Sequence, residues 1–170
     1  AISLSPTPFA LSEIVTWLMG AVSDRSWRDV GIALVPTLAG IALLRSAGPA
    51  LDALTLGEAA ARSLGVEPRR LQALMVAGVG LCVGSGVAVA GIIGFVGLIV
   101  PHLMRRLTDR RPSQLIVPSA LAGALLLLAA DVLCRVLPLA GGELRLGIAL
   151  SLLGAPFFLM LLLKMRRELA

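Results

Sequence analysis

Long apolar stretches separated by short charged patches dominate this chain. Residues 112–130 and 146–163 carry no Asp, Glu, Lys or Arg, and residues 30–44 form a shorter run of the same kind. A spanning helix needs roughly 20 apolar residues, with ~17–25 the usual range. Val30–Leu44 reaches that length by passing Arg45, whose aliphatic stem can lie along lipid with its head in water, and continuing to Leu51. Residues 1–22 contain Pro6, Pro8 and Glu13 and read as the end of a span followed by a short outer helix. The longest run, Leu71–Met104, has 34 residues without a formal charge and glycines at 78, 80, 84, 86, 91, 94 and 97. As one straight helix it would reach about 50 Å, against a hydrocarbon core of ~30 Å. It is therefore expected to cross twice, turning near Ala88–Gly91, with about 17 residues in each half.

Arginine placement sets the orientation. Arg69 and Arg70 precede the long run, and Arg105, Arg106, Arg110 and Arg111 follow it, so both ends are expected in the cytoplasm. The remaining segments then alternate: Val30–Leu51 inward, Leu71–Ala88 outward, Ile92–Met104 inward, Gln114–Cys134 outward, Leu146–Leu163 inward. This parity places eleven Lys and Arg residues inside and four outside, the latter being Arg25, Arg28, Arg135 and Arg145. The C-terminal KMRRELA is predicted to be cytoplasmic.

Composition narrows the class. Of 170 residues, 58% are hydrophobic and only 15% charged, with a mean hydropathy of +0.95. A soluble domain of this size could not bury so much apolar surface. The expected fold is all-α, a polytopic transmembrane helical bundle of about five spans over residues 1–170. The net charge of +5 resides in the loops, which fits membrane topology rather than nucleic acid. Cys82 and Cys134 lie in apolar surroundings and form no metal or disulfide pattern. The opening AISLSPTPFA reads as part of a longer chain. Gly80 and Gly84, and Ala120 and Ala124, have the small-xxx-small spacing that lets helices approach closely, within one bundle or between subunits.

One segment departs from the lipid-soluble pattern. LTLGEAAARSLGVEPRR, residues 54–70, packs five charged side chains into a few turns. Thr55 and Glu58 fit a capping box, with Thr55 as N-cap. Gly65 stands where a left-handed residue would end the helix. Leu56, Ala60 and Leu64 fall on one face, and Glu58 and Arg62 pair at i, i+4 on another. A helix of about two turns over 56–64 is too short to span or to be stable alone. On the residues alone, two readings stay open: an amphipathic helix covering a loop, or a knob that docks a soluble partner, which the small surface Ala59–Ala61 favours.

LDALTLGEAAARSLGV followed by AVAGIIGFVGLIVPHLMRRL strongly resembles the FecCD-type permease subunits of ATP-binding-cassette (ABC) importers. The later ALAGALLLLAADVLCRVL and GGELRLGIALSLLGAPFFLMLLLK continue the match, as does the earlier VTWLMGAVSDRSW. That family imports ferric siderophores, haem and vitamin B12. The resemblance implies the C-terminal half of a ten-span fold in the bacterial inner membrane. It also implies that residues 52–68 form a cytoplasmic coupling-helix loop. Thr55, Leu56, Gly57, Glu58, Ala61, Arg62, Leu64 and Gly65 would then meet the ATP-binding subunit.

The implied partners are a second permease copy, a cytoplasmic ABC ATPase dimer that holds ATP and magnesium, a periplasmic or lipoprotein substrate-binding protein, and membrane lipid. No cofactor or metal on this chain is implied. Arg135 matches a family arginine that faces carboxylates of the binding protein; an i, i+4 pair with Asp131 is the plainer reading. Glu143 matches the family's outer turn, where Arg145 replaces a proline and offers a second docking cation. Gly94, Phe95, Gly97, Pro101, His102, Gly154 and Pro156 are the candidates for span-breaking or gating. Gly94 and Gly97 are expected to permit close packing, Pro101 to bend its span, and Gly154-Ala155-Pro156 to interrupt the last one. His102, the only histidine, has no metal-ligand partners in sequence and is expected to cap or hydrogen-bond.

The chain has no P-loop pattern, no nucleophile–base pair and no paired acids, so it is not expected to be an enzyme. The rivals are a secondary transporter or channel subunit and a structurally incomplete membrane fragment. Transporters and channels of that kind place ionisable groups at the midplane; here Asp131, near an outer end, is the only such acid.

Overall fold

A computed structural model describes residues 18–20, 22–23, 25–105, 111–136 and 146–168; within the last helix nothing is stated of side chains 153, 161–162 and 164–168. All regular structure among the described residues is helical: α1 Trp27–Leu54, α2 Glu58–Ser63, α3 Pro68–Ala90, α4 Val96–Met104, α5 Pro112–Val136 and α6 Leu146–Glu168. Among these residues α1, α3 and α5 are long and apolar enough to cross a membrane, and only about 11% of each apolar window is buried. Apolar helices with so little covered surface require lipid or further helices around them.

The long helices begin and end for local reasons. α1 starts at Ser26, whose hydroxyl accepts from the Asp29 N–H (3.4 Å) while the Asp29 carboxylate accepts from the Ser26 N–H (2.8 Å), a reciprocal capping box. That box sets the first turn three residues ahead of the expected apolar start, and α1 runs to Leu54, past the expected end at Leu51. α3 and α5 both begin with proline at their first helical position, where no N–H is needed.

The expected turn in the long apolar run is present. α3 stops at Ala90 and Gly91 adopts φ +72°. The expected equal halves are not: α3 has 23 residues, about 35 Å, whereas α4 has nine, about 14 Å, too short to span as a helix. Between them Phe95 takes φ +66°, and the Val96 N–H reaches back to the Gly94 carbonyl (2.9 Å), which makes a γ-turn. A bulky residue at positive φ costs roughly 1–3 kcal/mol, so surrounding contacts must hold it there.

The chain divides into two compact units. In the unit made of residues 26–89 and 100–123, α1 and α3 pack through small residues. The buried positions Gly40 and Ala47 on α1, and Leu71, Gly78 and Ser85 on α3, recur every seven residues, so one seam faces its partner along both helices. A Cβ on Gly40 would lie 2.7 Å from the Gly78 carbonyl oxygen and 2.6 Å from Cys82 Sγ, a backbone approach that only glycine permits. Gly80 and Gly84, the pair that small-residue spacing singles out, do not serve this seam. They are exposed, with nothing within 4 Å of where a Cβ would stand, because they lie on a different face of α3.

In the other unit, described residues among 1–25, 90–99 and 124–170 surround a core of Ala130, Leu146 and Leu150, with Ile93, Val96 and Leu127 packed against it. The expected interruption at Gly154-Ala155-Pro156 is absent. α6 passes through all three residues, since Pro156 removes only one of the 23-residue helix's donors. Gly154 serves packing instead: a Cβ there would fall 2.7 Å from Phe95 Cδ1. Gly94 and Gly97, expected in close packing, have open space where a Cβ would stand.

Candidate functional site

The charged segment forms a helix on a tight stalk. At the end of α1, Thr55 is the C-cap, and its hydroxyl donates to the Asp52 carbonyl oxygen (2.7 Å). Thr55 is thus not the N-cap of the next helix, which is Gly57 and has no side-chain cap bond. The reason is backbone geometry. The chain must turn sharply between α1 and α2, and Gly57 at φ +98° makes that turn, which leaves Thr55 on the α1 side. The helix is correspondingly shorter than the expected 56–64, covering Glu58–Ser63.

Its far end follows the expectation. Gly65 adopts φ +82°; its N–H bonds to the Arg62 carbonyl, and the Val66 N–H bonds to the Ala61 carbonyl, both at 3.0 Å. This is the Schellman arrangement, which satisfies carbonyls that a six-residue helix would otherwise leave open.

Ala61 is 1% exposed and, with Leu51, Leu54, Leu71 and the inner sides of Glu58 and Arg62, lines a cleft of about 320 Å³. It anchors α2 rather than presenting a contact surface. Glu58 and Arg62 form an exposed ion pair at 3.5 Å, flanked by Leu56 and Leu64, which are 68% and 66% exposed. An exposed i, i+4 pair contributes only about 0.3–0.5 kcal/mol. Two uncovered leucines around a weak ion pair add little to the packing of the described residues.

The other predicted residues are dispersed. Arg135 bonds Asp131 through Nε at 2.8 Å, with the carboxylate mostly covered and the guanidinium 59% exposed, so the plainer pairing is present. Glu143 and Arg145 lie outside the described residues. Phe95 and Gly154 meet, as above. Pro101 and His102 are half-buried within α4, and Pro156 is exposed on α6. Two pairings were missed by sequence reasoning. Thr37 and Ser85 are joined by a hydrogen bond of 2.8 Å, and the Asp52 carboxylate accepts from the Ser113 N–H at 2.9 Å and from its hydroxyl at 2.5 Å. Polar residues inside apolar helices were the available signal for the first; nothing short-range pointed to the second.

Membrane-length helices with sparse internal burial, joined by a short exposed helix on glycine turns, define a polytopic membrane protein. The chain belongs to the FecCD transport family, whose model matches residues 1–164. It is 44% identical over 155 residues to the vitamin B12 import system permease protein BtuC of Vibrio cholerae, covering 91% of this chain and 46% of that one. It is 43% identical over 165 residues to the protein of the same name from Salmonella typhimurium, covering 95% and 49%. The chain thus spans about half the length of the curated relatives it matches. Among solved structures, one described as an inward-facing conformation of a metal-chelate type ABC transporter superposes with TM-score 0.82 at 35% identity, covering 96% of this chain and 52% of that one.

Proposed function

We propose that the chain is part of the permease subunit of an ABC importer that moves a metal chelate into the cytoplasm across the bacterial inner membrane. The chelate is of the cobalamin or iron-siderophore class. The vitamin B12 permeases favour a cobalamin, and the metal-chelate transporter fits either. ATP is hydrolysed on a separate ATPase dimer, a binding protein delivers the chelate from outside, and a second permease copy completes the path.

The observation that carries this reading is α2. Its Leu56–Glu58–Arg62–Leu64 surface is exposed and contributes little to the fold, while the buried Ala61 and the Gly65 and Val66 backbone bonds hold the helix between sharp turns at Gly57 and Gly65. A short helix anchored between two membrane-length helices can convert movement of a soluble motor into movement of spans. In this scheme α2 faces the cytoplasm, closure of the ATPase displaces it, and the spans reopen the path inward. Arg135, with its exposed guanidinium, steers the acidic binding protein from outside.

The test is reconstitution of the intact permease with its ATPase and binding protein, with uptake of cobalamin and of a ferric siderophore measured against ATP hydrolysed. The double variant Glu58→Ala/Arg62→Ala should insert normally and retain ATPase activity, while uptake per ATP falls about tenfold, at the low end of ordinary coupling free energies. Unchanged uptake by that variant, or uptake driven by an ion gradient without ATP, would refute the proposal.

A further inference from the structure

Asp52 stands at a junction. Its backbone carbonyl receives the Thr55 N–H (3.1 Å) and the Thr55 hydroxyl (2.7 Å), which close the end of α1 just before α2. Its carboxylate leaves that element altogether. One oxygen accepts from the Ser113 N–H at 2.9 Å and the other from the Ser113 hydroxyl at 2.5 Å, across 61 residues of chain.

Ser113 is the second residue of α5. The first turn of a helix has N–H groups without internal partners, normally met by a Ser, Thr, Asp or Asn immediately before it. Here that position is Arg111, followed by Pro112, and neither can accept a hydrogen bond through its side chain. Asp52 supplies the missing cap from another helix, with its negative charge at the positive end of the α5 dipole.

A second contact lies one turn earlier on the same face of α1. Gly48 is buried, and a Cβ there would stand 3.0 Å from Ser113 Cβ and 3.3 Å from Ser113 Cα. Residues 48 and 52 are four apart and therefore share a face. Gly48 sets the distance between the helices, and Asp52 sets the register.

We infer that Asp52 is a positioning residue, fastening the root of α2 to the first turn of α5 so that a load on α2 is delivered to α5 as well as along α1 and α3. This inference rests on the coupling role proposed for α2. With the fastening intact, displacing α2 must carry the start of α5. Without it, α2 can move while α5 stays, and ATP is hydrolysed without transport.

The experiment uses the intact permease reconstituted with its ATPase and binding protein, and reads membrane insertion, ATPase rate and chelate taken up per ATP. Asp52→Ala should lower uptake per ATP at least about fivefold with ATPase activity retained. Gly48→Val, which wedges the helices apart without touching a charge, should do the same. Ser113→Ala keeps the backbone donor and should lose roughly two- to fivefold, the lower half of a single hydrogen bond's range; combined with Asp52→Ala it should add nothing further. Asp52→Asn keeps an oxygen for the Ser113 N–H and should recover part of the loss. If Asp52→Ala fails to insert, Ser113→Ala and Gly48→Val decide. Normal uptake per ATP in both of the latter, with Glu58→Ala/Arg62→Ala uncoupled, overturns the fastening and leaves the α2 reading standing. Normal uptake in all three variants overturns both.

Discussion

Thr37 and Ser85, 48 residues apart in sequence, share a hydrogen bond of 2.8 Å between α1 and α3. The Ser85 hydroxyl also donates to the Cys82 carbonyl at 3.1 Å, so its oxygen is the acceptor of the Thr37 proton. Both hydroxyl protons in this small relay have partners inside apolar helices, where an unpaired hydroxyl would be costly. Measured interhelical bonds of this kind average about 0.6 kcal/mol and reach about 1.7. Thr37→Val and Ser85→Ala should therefore each lower stability modestly. A double-mutant cycle by unfolding in mixed micelles should return a coupling energy of about 0.6 kcal/mol. A coupling energy of zero would show that the pair does not tie the helices.

The same seam makes an asymmetric prediction about glycines. Gly40→Ala places a methyl group 2.7 Å from the Gly78 carbonyl, a backbone atom that cannot swing aside. It should destabilise by roughly 1–3 kcal/mol, as overpacking does. Gly80→Ala meets open space and should be neutral or stabilising by up to ~1 kcal/mol, because alanine is the better helix former. Thermal unfolding of the two variants in one detergent compares them directly.

Phe95 and Gly154 should behave as a compensating pair. Gly154→Ala drives a methyl group into the Phe95 ring and should lower stability by roughly 1–3 kcal/mol. In a Phe95→Gly background, which removes the ring and suits φ +66°, the same Gly154→Ala should cost less than about 0.5 kcal/mol. Unfolding measurements on the four proteins of the cycle decide it; equal costs in both backgrounds would contradict the contact.

Gly65→Ala should loosen α2 without disturbing the spans. A side chain at φ +82° costs roughly 1–2 kcal/mol, and the Schellman bonds at Ala61 and Arg62 depend on that turn. Amide exchange at Gly65 and Val66 should quicken about fivefold or more, while α1 and α3 exchange as before.

Much of this was legible in the residues. Charge-free runs marked the long helices, and Gly91 and Gly65 stood where the chain needed positive φ. Other features were hidden by non-local geometry. Small-residue spacing pointed to Gly80 and Gly84, but the seam uses Gly40 and Gly78, and the choice depends on which face of α3 meets α1. A capping-box pattern at Thr55 and Glu58 was overridden by the α1 terminus, which claims the Thr55 hydroxyl. Pro156 suggested a break, yet a helix that loses one donor continues. The Asp52–Ser113 contact joins the end of one helix to the start of another, and no local pattern encodes such a meeting. Of the proposed docking surface, Glu58, Arg62, Leu56 and Leu64 lie exposed, while Ala61, from the same small-residue run, turned inward.

The most direct test of the central claim is the side of the membrane that α2 occupies. In the intact permease with Cys82 and Cys134 replaced by serine, a cysteine placed at the exposed Ala59 reports on the α2 surface. A thiol reagent that does not cross membranes should label Ala59→Cys in inside-out vesicles and leave it unmodified in right-side-out vesicles. Labelling from the periplasmic side, with the cytoplasmic side protected, would contradict the coupling account.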